Sequence, residues 1–67
     1  MLTTQDLSVH YISPGDDHLS EVRVFLIRPR KKLLLKIIVP AKNLDDARNN
    51  SNPIIDSFIA VWNSKEN

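Results

Sequence analysis

Asp16, Asp17 and His18 stand side by side, with His10 upstream, and this is the one stretch where carboxylates and imidazoles could meet to hold a divalent ion or exchange protons. A lasting metal site needs further ligands converging from elsewhere in the chain. Here the group follows Ser13-Pro14-Gly15, which is strong turn chemistry, so it reads as a solvated turn whose aspartates bond nearby backbone amides. His10 falls on the polar side of an alternating segment and reads as exposed. With no cysteine, thiolate metal sites and disulfides are excluded. No serine sits in a nucleophile elbow, and the single glycine, Gly15, cannot build a phosphate-cradling loop. The sequence therefore assigns no catalytic, metal-ligating or cofactor-binding residue, and the expectation is a protein that is not an enzyme.

The second chemical feature is positive charge. Arg23, Arg28, Arg30, Lys31, Lys32 and Lys36 fall within residues 23 to 36, and no carboxylate lies among them. Arg28, Arg30, Lys31 and Lys32 are the candidate contacts for an anion or a nucleic-acid backbone, and Phe25 could stack on an unpaired base. Against that reading, the chain's formal net charge is only +1, and the aromatic and glycine-rich signatures of common RNA modules are absent. Such charge runs are commonly solvated hairpin tips.

These residues must be placed by a small scaffold. A chain of 67 residues is a single domain over 1–67, short enough that its core needs reinforcement, and without disulfides the natural reinforcement is a partner chain. Leu7, Val9 and Tyr11 alternate with Ser8, His10 and Ile12, which predicts a strand over about 6–12. Val22 to Ile27 and Leu33 to Val39 are rich in β-branched and large apolar residues, predicting strands over about 21–28 and 32–39. Arg28-Pro29-Arg30-Lys31 suits a type I turn between them. Asn43 to Asn49 predicts a short helical turn capped by Asn43, with Asp45 and Asp46 near its positive end. Asn49-Asn50-Ser51-Asn52 reads as a turn, and Pro53 as the first residue of a second helix over about 53–63, carrying the stripe Ile55, Phe58, Ile59 and Trp62. Residues 64–67 are an expected frayed end. The fold class is α+β: a three-stranded antiparallel sheet packed on one face by a C-terminal helix.

Parity sorts the hairpin into two faces. With a four-residue loop over 28–31, Leu26 lies opposite Leu33, Val24 opposite Leu35 and Val22 opposite Ile37, giving one wholly aliphatic face. The same register sets Arg23 opposite Lys36, an unfavourable like-charge pair. A loop one residue longer or shorter would join Phe25 and Ile27 to Leu33, Leu35 and Ile37. In the first register the outer face collects Phe25, Ile27, Leu34 and Ile38 beside Arg23 and Lys36, an apolar patch ringed by charge of the kind that marks a contact surface.

The expected function follows from that patch: a small accessory or adaptor protein that contacts another protein, or a second copy of itself, through the outer sheet face and an edge strand. The alternative is a nucleic-acid-binding module using the basic hairpin 23–36. No apolar run approaches the length needed to span a bilayer and no secretory signal is visible, so a soluble, cytoplasmic protein without membrane contact is expected.

Overall fold

The computed structural model describes residues 1–28 and 30–65. A 3-10 turn over Thr4–Asp6 leads into strand β1 (Leu7–Tyr11), followed by β2 (Leu19–Leu26), β3 (Lys32–Pro40) and a single helix α1 (Leu44–Lys65). The strands form one antiparallel sheet in the order β1-β2-β3, so β2 is central and both β1 and β3 are edges. This is the α+β architecture that the alternating segments and the C-terminal stripe predict. The expected type I turn centres on Pro29, which lies outside the described residues.

The core forms where the aliphatic face of the sheet meets the helix. Val22 and Val24 are completely buried, Val39, Leu7 and Ala41 nearly so, and Ala47 and Ile55 of α1 join the same cluster. Phe58, Ile59 and Trp62 extend the helix stripe along it, with the Phe58 and Trp62 rings 5.8 Å apart. Leu2 is buried here as well: its N–H donates to Asn63 Oδ1 at 2.7 Å, and its carbonyl accepts from Asn63 Nδ2 at 2.9 Å. One asparagine thus ties the start of the chain to the last turns of the helix, substituting for the backbone pairing that this segment lacks.

Two details differ from the sequence reading. First, the turn expected at 49–52 is absent, and the segments 43–49 and 53–63 belong to one helix with Pro53 inside it. Asn43 caps it as expected, its Oδ1 accepting from Asp46 N at 2.9 Å, while Asp46 Oδ2 accepts from Lys42 N at 3.2 Å. Ala47, Ser51 and Ile55, spaced four apart, are its buried residues, and this stripe runs straight through the expected break. Ser51 is fully buried, with its hydroxyl donating to Arg48 O at 3.1 Å, and Asn50 Nδ2 donates to Pro40 O at 2.6 Å, fastening the middle of the helix to the end of β3. Asn49, Asn52 and Pro53 face solvent, where water can hydrate the Asn49 carbonyl that proline leaves without an amide. Tertiary burial outweighs the local cost of a proline, roughly 3 kcal/mol in a helix interior.

Second, the β2–β3 register changes partway along. Val22 lies opposite Ile37, Arg23 opposite Lys36 and Val24 opposite Leu35, as the first parity reading has it, but a bulge follows and Phe25 then faces Leu33, and Leu26 faces Lys32. The extra residue is Leu34. Leu34 and Leu35 both pack against the core, whereas Leu33 is 47% exposed. The expected assignment of Leu33 to the core and Leu34 to the outer face is therefore reversed. The bulge keeps two of the three consecutive leucines inward but changes which: Leu34 and Leu35 in place of the Leu33 and Leu35 of strict alternation.

Leu34→Asp should accordingly cost at least about 2 kcal/mol in urea denaturation, and Leu33→Asp less than about 0.5 kcal/mol. Pro53→Ala should stabilise the protein by about 1 to 3 kcal/mol and deepen the helical circular dichroism, because Pro53 is interior. If Pro53 began a separate helix, the substitution would bring no gain.

Candidate protein-interaction face

The helix covers one side of the sheet. The opposite side is built from Ser8 and His10 of β1, Glu21, Arg23 and Phe25 of β2, and Leu33, Lys36 and Ile38 of β3, which the pairings His10 to Arg23, Ser8 to Phe25, Glu21 to Ile38 and Phe25 to Leu33 bring into one surface. Ile27 and Ile38 are 45% and 55% exposed, Phe25 is half-buried, and Arg23 and Lys36 are exposed. Five of the six residues expected to form the interface thus share this side of the molecule; the sixth, Leu34, turns inward and Leu33 stands in its place.

The like charges of Arg23 and Lys36 do face each other, and Glu21 lies between them. Its Oε2 accepts from Arg23 Nε at 2.6 Å and contacts the Arg23 terminal nitrogen at 2.6 Å, while its Oε1 lies 3.6 Å from Lys36 Nζ. One carboxylate serves two cations, so the middle of the face carries far less unbalanced charge than the residues 23–36 suggest in isolation. Sequence reading missed Glu21, although parity signals it: two residues before Arg23, it shares that face and sits diagonal to Lys36.

Phe25 is held on two sides. The His10 ring meets it edge-on with centroids 4.9 Å apart, and Lys31 Nζ stands 5.1 Å from its centroid. His10 in turn shares a 3.1 Å hydrogen bond with Ser8 Oγ. His10 is therefore part of the outer face, with ring and hydroxyl partners of its own. Arg28, Arg30, Lys31 and Lys32 are all exposed at the β2–β3 end of the sheet.

Asp16, Asp17 and His18 lie in the β1–β2 connection. His18 N donates to Gly15 O at 3.0 Å, closing a four-residue turn, and Leu19 N donates to Asp17 Oδ1 at 3.2 Å. His18 has a φ of 56°, in the left-handed region, as the last residue of that turn. Aspartate bonding to local amides is the behaviour expected of a solvated turn. Among the described residues no three histidine, aspartate or glutamate side chains come together as metal ligands would. No described helix is long and apolar enough to cross a membrane.

Searches against known protein families, against characterised proteins and against solved structures find no match to this chain.

Removing the shared carboxylate should expose the repulsion it offsets. Glu21→Gln should cost about 1 kcal/mol at low ionic strength and less in high salt, and Lys36→Gln added to Glu21→Gln should recover part of the loss. Equal losses with and without Lys36 would mean that Glu21 does not act through the pair.

Proposed function

We propose that the protein is a small non-enzymatic adaptor or accessory protein that works in the cytoplasm by contacting another protein chain through its outer sheet face and an edge strand. One observation supports this above the others: Glu21 balances Arg23 and Lys36 at the centre of a face on which Ile27, Leu33 and Ile38 are about half exposed. Protein interfaces are depleted of unbalanced charge at their centre and ringed by polar groups, and this face has that composition. The rim here is supplied by Lys31, which stands over Phe25, on one side and by Ser8 with His10 on another.

The second reading, nucleic-acid binding, draws on the exposure of Arg28, Arg30, Lys31 and Lys32. It is the weaker one because Phe25, the aromatic that a base would stack on, is already engaged by His10 and Lys31.

The two separate by mutation and salt. A photo-reactive amino acid at position 33, introduced in cells, should crosslink to a discrete protein; Phe25→Asp and Ile38→Asp should remove that contact without unfolding the protein, and Ala at Arg30, Lys31 and Lys32 together should leave it in place. Binding of a random single-stranded oligonucleotide that falls steeply between about 50 and 200 mM salt and is lost in the triple alanine variant would favour the second reading instead.

A further inference from the structure

The two edges of the sheet are guarded very differently. In an antiparallel pair, hydrogen-bonded positions alternate along each strand. Ala41 N donates to His18 O at 2.8 Å, so Val39, Ile37 and Leu35 pair with β2, and Lys36, Ile38 and Pro40 turn their backbone groups toward the outer edge of β3. That edge is blunted four times over. Pro40 has no amide, its carbonyl already accepts from Asn50, Lys32 and Lys36 stand along the strand, and the Leu34 bulge distorts it.

On the other side, Ile12 N donates to Glu21 O and Ile27 N to Asp6 O, both at 2.9 Å, which fixes the alternation in β1. Ser8 and His10 pair with β2, and Leu7, Val9 and Tyr11 point their backbone groups outward. The Leu7 amide closes the 3-10 turn on Thr4 O. The Leu7 carbonyl and both backbone groups of Val9 and Tyr11 are left at the edge, and among the described residues no backbone bond from another element reaches them. β1 contains no lysine, arginine, carboxylate, proline or bulge. None of the devices that protect β3 is present here, and β1 is guarded only by being five residues long.

We infer that β1 pairs antiparallel with β1 of a second copy about a two-fold axis at Val9, joining two three-stranded sheets into one of six strands. This names the partner of the edge strand and rests on the proposed reading only in treating that strand as a contact element. The occupant is argued from the strand's self-complementarity. With Val9 opposite Val9 of the second copy, the two valines exchange both backbone bonds, and each Tyr11 N–H meets the free Leu7 carbonyl across the axis. On the helix side Leu7 lies opposite Tyr11, and on the outer side Ser8 lies opposite His10, so apolar meets apolar, polar meets polar and no charges face each other. Val9 and Tyr11 are only partly buried in the single chain, and the pairing covers them, enlarging a core that is small for an unaided domain. A β3–β3 pairing centred on Lys36 would instead set lysine against lysine.

The test is solution mass by sedimentation equilibrium over a concentration series, together with amide hydrogen exchange. A dimer is expected in which the Val9 and Tyr11 amides exchange roughly tenfold or more slowly than in the dilute monomer, while the Lys36 and Ile38 amides stay fast. Val9→Pro, which removes an outward-facing amide, should yield a monomer with the sheet retained; Lys36→Pro, the same change on the opposite edge, should stay dimeric. A monomer at all concentrations with fast exchange at Val9 and Tyr11, a dimer dissociated by Lys36→Pro, or protection at Val9 that appears only when a foreign strand is added would each overturn the inference. Exchange in the unmutated chain decides the matter even if Val9→Pro fails to fold. Outer-face binding is read separately through Phe25→Asp: a monomer that keeps that binding overturns the dimer alone, and a dimer without it overturns the outer-face reading alone.

Discussion

Close approach of α1 to the sheet is the contact on which the rest of this structure depends. Ala47 and Ser51 are small enough to bring the helix axis down onto Val22, Val24 and Val39, and Ile55, Phe58, Ile59 and Trp62 continue the seal toward the C-terminal end. Without that contact a three-stranded sheet of this size has nothing to bury its aliphatic face against. It also explains why the helix tolerates Pro53 and three asparagines in its middle. The buried residues lie on one stripe, and the residues with poor helix propensity lie off it.

A single helix seals a single face, so the other side of the sheet must be stable in water or meet a partner. The outer surface shows both solutions. Its charges are partly offset, with Glu21 between Arg23 and Lys36, and its aromatic ring is flanked by His10 and Lys31. Ile27, Leu33 and Ile38 remain about half exposed around these groups. Exposed ion pairs contribute little to stability individually, which makes charge balance across the face a better account of the Glu21 arrangement than fold stabilisation. The guarded β3 edge and open β1 edge extend the same logic to the backbone.

Much of this architecture is legible in the sequence because it rests on period-two alternation and on the i, i+3, i+4 helix stripe. Val22 against Ile37 and Val24 against Leu35 follow from parity once the register that gives one wholly aliphatic face is chosen. The bulge does not, because three consecutive leucines satisfy either register equally and only three-dimensional packing selects Leu34 and Leu35 together. Asn49-Asn50-Ser51-Asn52-Pro53 carries every local mark of a turn, yet Ser51 lies on the buried stripe and Asn50 reaches across to Pro40, and neither interaction has a local signature. On the outer face Phe25, Ile27, Ile38, Arg23 and Lys36 were visible and Leu33 was not, and the role of Glu21 required knowing that Arg23 and Lys36 truly face each other. The Leu2–Asn63 pairing, between the two ends of the chain, had no sequence signal at all.

The division between a sealed inner face and an open outer one is tested most directly by methyl NMR with a soluble paramagnetic agent. The Leu34 and Leu35 methyls should show contacts to α1 and little broadening, while those of Ile27, Leu33 and Ile38 should broaden strongly. Strong broadening of Leu34 with protection of Leu33 would contradict the bulge, and with it the composition of the outer face.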